Sequence, residues 1–447
     1  MATRGSGRRD PHGDGVHFVT PDGVQVLLEA SHDLPLVDIS LTLRTGSVHD
    51  PPGLEGLARM AARMVRMGTA NLDGTAVEES IARLGARLNV ETSTSYVRFH
   101  GSVIRRNLEP FCDLLADLVR RPAFRAADLA FSKRETLSDI VAARDNDRAI
   151  GTRHFRRMLF GDHPYGRSVV GTRASVRALR RAHLAEHHRR HFVGRNLVLG
   201  ASGDVDEAEL RRLVERFFTG LPAGRPPSEN VPTPRRPRGR RVLIVDKPDR
   251  TQAQIFIGTL GSRVDDPDIY PLMVANTAFG GTFTARLMHE VRSVRGWSYG
   301  AYSRLSRDRQ RDAWSMWTFP AAKDAIECAR LQLELLEDFV REGITAAELR
   351  FARKFLINSH CFDVDTAAKR LDARIDAEVF GLPEEFFRDY VKKVRAVTRA
   401  EANAAVRRRI SQRNLVIVVV ASAREVRASL QALPGVQSVE AVRHDDD

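Results

Sequence analysis

The chain has 447 residues, 43% of them hydrophobic, with 70 Lys and Arg set against 57 Asp and Glu. That much apolar material can fill two to three domain cores, and the longest apolar run, Leu415 to Ala421, is far below the roughly eighteen residues a membrane-spanning helix needs. A net charge of +13 invites a nucleic-acid reading, but only seven of the basic residues are Lys and the Arg are spread over nearly every helical stretch, so an acidic peptide or acidic partner protein is the better electrostatic complement.

The first fifteen residues, MATRGSGRRDPHGDG, are basic and polar with no apolar stretch, so a short disordered N-terminus and a cytoplasmic protein are expected. Cys112, Cys328 and Cys361 are an odd number without C-x-x-C spacing. They read as ordinary buried thiols, not as disulfides or thiolate ligands.

Val16 to Leu28 and Val37 to Arg44 alternate as strands of a hairpin, with Pro21-Asp22-Gly23 as a turn of its own. A helix follows from Gly56 to Met67, and a longer one contains FSKRETLSDIVAARDND. His163-Pro164-Tyr165-Gly166 reads as a turn that closes a helix. His183-Leu184-Ala185-Glu186-His187 places two imidazoles at i and i+4 with a Glu between, the geometry of a zinc helix, yet it lies in an Arg- and His-rich surface helix with no acidic residue in Phe256 to Val264 to complete a site. A chance match is the expectation.

Gly220 to Arg241 is dense in Pro, Gly and charge and reads as a linker, 223–240 at its core. It divides an internal repeat with an offset of about 218 residues. Arg195-Asn196-Leu197-Val198-Leu199 returns as Arg413-Asn414-Leu415-Val416-Ile417, and Gly46 to Pro51 returns as Gly261 to Pro267. Each half runs through two strands, a long helix, two strands, several helices, a strand and a last helix. The expected fold is therefore α/β, an α+β sandwich of two homologous domains, 16–222 and 241–445, each a mixed sheet packed with helices.

In the second half, GGTFTARLMHEVRSVRGWSYGAYS spans Gly280 to Ser303. Leu287, Met288 and Val291 fall at helical spacing, Gly296 ends the periodicity, and Trp297 to Tyr302 reads as extended. Arg292 in the last helical turn and Tyr299 at the strand start can converge as donors on one carbonyl oxygen. Trp314, Trp317 and Phe319 alternate along a strand from Ala313 to Phe319 and read as wall or core of the second sheet. No phosphate loop, Ser-His-Asp arrangement or nucleophilic Cys context occurs.

Glu290-Val291-Arg292 with Tyr299 seven residues on, behind a Gly-rich approach, resembles the second domain of the pitrilysin/insulinase family of zinc peptidases, and the resemblance covers about 16–440. It implies two homologous domains enclosing half of a substrate chamber, and an Arg and a Tyr that bind the substrate backbone across from the metal. It also implies His-x-x-Glu-His on the first long helix and a Glu on a later one. Here the matching positions are Arg59, Ala62 and Arg63, with Ser132 at the third ligand and Glu135 three residues beyond it. Guanidinium offers no lone pair, and Ala62 cannot move a proton, so these degenerate positions bind no metal. The resemblance thus implies a non-catalytic subunit without a cofactor of its own. A homologous partner with intact His-x-x-Glu-His would carry the zinc, and Arg292 and Tyr299 would serve peptide binding and transition-state support. A non-proteolytic structural or assembly protein with the same fold is the alternative.

Overall fold

The computed structural model describes residues 15–225, 231–383 and 385–446. The expected disordered N-terminus lies outside these residues apart from Gly15, as does 226–230 of the expected linker. The linker residues on either side of that gap form neither helix nor strand until Arg240. None of the helices described is long and apolar enough to cross a membrane.

Two six-stranded mixed sheets organise the chain. The first comprises Val16–Val19 (β1), Gln25–Ala30 (β2), Leu36–Leu43 (β3), Arg87–Thr92 (β4), Val97–Ile104 (β5) and Leu197–Gly203 (β6), in the order β1-β2-β6-β3-β5-β4. The second comprises Arg240–Asp246 (β7), Gln254–Leu260 (β8), Ala301–Leu305 (β9), Ala313–Thr318 (β10), Leu415–Ala421 (β11) and Val436–Arg443 (β12), in the order β12-β7-β11-β8-β10-β9. Five strands of one sheet therefore repeat five of the other. Arg195-Asn196 leads into β6 as Arg413-Asn414 leads into β11, so the landmarks of the sequence repeat occupy equivalent places. Only the outer edge differs, where β1 runs antiparallel to β2 and β12 runs parallel to β7.

The turn Pro21-Asp22-Gly23 joins β1 to β2 as expected, with the Gly23 N–H bonded to the Thr20 carbonyl at 2.9 Å. The larger hairpin does not form. β6 separates β2 from β3, parallel to the first and antiparallel to the second. Its residues Leu197 to Ser202 are buried on both faces, which suits a central strand and leaves no room for a direct β2–β3 pair.

Helices cover the sheets in a pattern that crosses the repeat. The chain packs as two compact units: one takes the described parts of Met1–Lys133, Ala178–Ser228 and Ser359–Tyr390, the other Arg134–Arg177, Glu229–Asn358 and Val391–Asp447. The sequence halves 16–222 and 241–445 describe the repeat, whereas packing gives each sheet one helix from the opposite half. Helix Ala367–Phe380 lies on β2 and β6, where Leu371, Ile375 and Val379 form a buried cluster with Leu27 and Val198. Gly200 makes the close crossing possible, since a Cβ there would stand 2.7 Å from Ile375 Cδ1. Helix Asp147–Phe160, the counterpart in the repeat, lies on β8 and β11, with Phe155 against Phe256. There Gly258 and Gly151 admit the crossing, as a Cβ on either would collide with Phe155 or Phe256 respectively. Each buried Leu or Ile in such a contact contributes roughly 1.5–3 kcal/mol.

Candidate functional site

Helix Ile269–Phe279 ends at Gly280, whose carbonyl accepts from the Ser303 N–H of β9 at 2.8 Å. A Cβ on Gly280 would approach that same nitrogen to 2.7 Å, so glycine is required for the helix end to rest on the strand. Asn276 secures the joint, its Oδ1 accepting from Ser303 Oγ and from Trp314 Nε1, both at 2.8 Å. Trp314, 1% exposed, is core; Trp317 stacks on Tyr302 as part of the sheet wall.

The segment that follows departs from the expected α-helix. A single turn, Arg286–Met288, widens into a π-helix, His289–Val294. Leu287, Met288 and Val291 are fully buried, as their spacing predicts. Gly296, at φ 65°, closes the helix with its N–H on the Arg292 carbonyl. Strand β9 starts only at Ala301, so Tyr299 stands in the connection before it. The cause is local: Ser298 Oγ donates to the Gly300 carbonyl at 2.8 Å and accepts from the Phe319 N–H at 3.2 Å, holding 298–300 as a bend. Isolated π turns of this kind concentrate at functional sites.

The π-helix presents Arg292 to two aromatic rings, those of Tyr299 and Phe283, each with its centroid 4.4 Å from the guanidinium carbon. Tyr299 is 74% exposed and Phe283 60%. Among the described residues no carboxylate pairs with Arg292, and its Nη1 is buried without a hydrogen-bond partner. Glu290, the acidic residue of the segment, is taken by Arg295 at 2.7 Å, which holds its carboxyl below the usual range. Phe283 was not distinguished by the sequence; its place beside Arg292 depends on the turn of chain between Gly280 and Arg286.

The degenerate positions lie in the first unit. Helix Leu57–Arg66 is capped by the buried Asp50 carboxylate, which accepts the Gly56 and Ala58 N–H groups at 2.8 Å each. Ala62 is on its buried face, while Arg59 and Arg63 are partly exposed. Ser132, on helix Ala126–Ala142, is fully buried against the same helix and donates to Met67 Sδ at 3.0 Å. This surrounding of thioethers, methyls and guanidinium groups offers no ligand set for zinc. Among the described residues no group of three His, Cys, Asp or Glu is placed to hold a metal ion.

The H-x-x-E-H match has structural employment. His183 accepts from the Arg180 N–H at the start of helix Arg181–His191, and Glu186 is exposed and paired with Arg189. The surface-helix expectation holds only for one face, since His187 and His191 are 6% and 7% exposed and their rings lie 4.5 Å apart. His188 Nε2 bonds the Val119 carbonyl at 2.7 Å. Of the cysteines, Cys112 and Cys328 are buried as expected, but Cys361 is exposed at the head of a short helix.

Residues 25–173 match the model of the insulinase family, peptidase family M16, and residues 178–356 match the model described as the peptidase M16 inactive domain. The chain belongs to the M16 peptidase family. Similar proteins include an uncharacterized zinc protease of Mycobacterium tuberculosis, 27% identical over 399 residues that cover 88% of this chain and 90% of that protein. The non-peptidase homolog YmxG of Helicobacter pylori is 22% identical over 400 residues, 89% of this chain and 92% of that protein. The crystal structure of a peptidase M16 inactive domain from Pseudomonas fluorescens superimposes with a TM-score of 0.86 at 24% identity, covering 91% of this chain and 98% of that one. The match to an inactive-domain model, together with the lack among the described residues of a group that could hold a metal ion, is consistent with a non-catalytic member of the M16 family. The second unit presents a set of donors, the Arg292 fork and the Tyr299 hydroxyl, suited to an oxygen acceptor.

Proposed function

We propose that this chain is the non-catalytic subunit of a heteromeric zinc peptidase, closing a substrate chamber with a homologous active subunit and directing Arg292 and Tyr299 at the peptide. The observation that carries the reading is Arg292, without a carboxylate partner among the described residues and set against an exposed Tyr299, in a chain whose described residues hold no metal-binding group. A core or scaffold role gives no use for a guanidinium without a carboxylate beside a ring that is three-quarters exposed. In the complex, zinc on the partner would supply the attacking water, while this chain's donors would stabilise charge developing on the carbonyl oxygen.

Reconstitution tests the reading. The full chain is expected to copurify with an M16 chain that carries intact His-x-x-Glu-His, to cleave no peptide alone, and to raise the partner's activity far above that of the partner by itself. A partner fully active alone and indifferent to this chain would sink the proposal. The likeness to a relative named a non-peptidase homolog favours one other outcome, a stable complex that cleaves nothing, which would make the chain a structural or assembly protein.

A further inference from the structure

We propose that Met60, Met64 and Met67 form a thioether site for one soft monovalent cation, copper(I), in the first unit. Three of the eight methionines fall within a single short stretch of sequence. Met60 and Met64 lie one turn apart on helix Leu57–Arg66 and Met67 is its C-cap, so spacings of four and then three residues keep all three sulfurs on one face. Ser132, on helix Ala126–Ala142, marks where that face points. Its hydroxyl, on a side chain 0% exposed, lies 3.0 Å from Met67 Sδ and 3.8 Å from Met64 Sδ. One oxygen thus touches two sulfurs, and Met60 is buried one turn before Met64. With three rotatable bonds apiece, these side chains can close on an ion where the hydroxyl hydrogen now sits.

The donors select the ion. A thioether is neutral and soft, with lone pairs to give but no charge to set against a hydrated dication, so it fails zinc, magnesium and calcium and suits copper(I). Arg59 and Arg63 on the same helix work in the same direction, because their repulsion of a divalent ion is twice that of a monovalent one at equal distance. Sulfur is also a weak hydrogen-bond acceptor, so little is lost when the Ser132 hydroxyl turns away and the metal takes the lone pairs. Met67 at the helix end is only partly buried and gives the ion a way in. A thioether carries no proton, so this site, unlike one built from His or Cys, binds without proton release. It needs no partner chain and does not depend on the subunit reading.

The test titrates the purified full chain with copper(I), free of oxygen and in competition with a chromophoric copper(I) chelator, using Cys361→Ser to remove the exposed thiol. Measured at about pH 7 and again at about pH 5, one ion per chain is expected to be retained at both, and X-ray absorption should find sulfur as its nearest neighbours. Met64→Leu and Met67→Leu, close in volume to the residues they replace, should each weaken binding about tenfold or more with the fold intact by circular dichroism. Ser132→Ala should bind at least as tightly, having no hydroxyl to displace. Copper(I) should raise the thermal midpoint of the starting chain and leave that of the double methionine variant unchanged. A chain that yields all its copper(I) to the chelator, an ion lost at the lower pH, nitrogen neighbours in the absorption spectrum, or undiminished binding by the folded double variant would each overturn the proposal. The absorption spectrum of the intact methionine site decides the matter even where the variants fail to fold.

Discussion

Arg98 of β5 reaches Asp376 of helix Ala367–Phe380, Nη2 to Oδ1 at 2.7 Å, across 278 positions of sequence and inside one packed unit. The guanidinium is 11% exposed and also meets Asp372 at 3.4 Å, while Arg374 of the same helix bonds Glu29 of β2 at 2.9 Å. Lys247, the residue after β7, holds the start of helix Asp147–Phe160 in the same manner, its Nζ 2.6 Å from Asp147 Oδ1. The two halves of the repeat have thus exchanged one helix each.

It follows that 16–222 and 241–445 expressed separately should not fold, since each sheet would expose the surface that the other half's helix covers. Coexpressed halves should assemble and regain cooperative unfolding. Two separately soluble halves with native-like unfolding transitions would show that the exchanged helices are dispensable. In the intact chain, Gly258→Ala should cost about 1–3 kcal/mol, because the new Cβ would lie 2.3 Å from the Trp314 carbonyl oxygen and 2.7 Å from Phe155; urea denaturation measures it.

Arg292→Ala and Tyr299→Phe should leave folding and partner association nearly intact, as neither side chain belongs to the core. In the reconstituted complex each should lower kcat more than it raises KM, by roughly ten- to a thousandfold, and the double variant should lose less than the product of the singles. Losses confined to KM would mean that the pair only holds peptide. Unchanged rates would remove the chain's share in catalysis.

Metal analysis of the purified chain should give zinc well below one equivalent. His183→Ala and His187→Ala should not change that value, because the first imidazole caps a helix and the second is buried beside His191. About one zinc per chain, lost in these variants, would reverse the assignment of the H-x-x-E-H helix as structural.

Stability should fall as the medium is acidified. Burial lowers His191 and His154 from 6.5 to about 4, and holds His187 well below its usual value, with neighbouring His and Arg charges adding to the effect. Between about pH 6.5 and 4 the unfolded chain therefore binds more protons than the folded one, so stability is full above 6.5 and declines toward 4. Asp50 opposes this. Burial pushes its carboxyl up from 3.8 to about 7, so the folded state takes up that proton first and gains stability as pH falls through the same window. Three imidazoles should outweigh one carboxyl. Denaturation midpoints measured at about pH 7 and 5 should differ in that direction, His187→Leu should shrink the difference and Asp50→Asn should enlarge it. A flat profile would contradict the burial argument.

The sequence by itself determined the parts of this protein that local chemistry controls. The repeat was legible because equivalent strands need the same landmarks at their starts, as Arg195-Asn196 and Arg413-Asn414 show. That Arg59, Ala62 and Arg63 cannot ligate zinc or move a proton was legible because no packing can give a guanidinium a lone pair or a methyl group a proton-accepting atom. Burial of Leu287, Met288 and Val291 followed from their spacing. Tertiary structure alone decided the rest. The insertion of β6 between β2 and β3 and the exchange of helices Asp147–Phe160 and Ala367–Phe380 depend on contacts between residues far apart in sequence, where Gly200 and Gly258 matter for what crosses them. The π turn that brings Arg292 to Tyr299, and the unmarked Phe283 that joins them, arise because Gly280 lets a helix end rest on β9 and Ser298 bends the chain before it. Those are relations of close approach, and they exist only once the second sheet has formed.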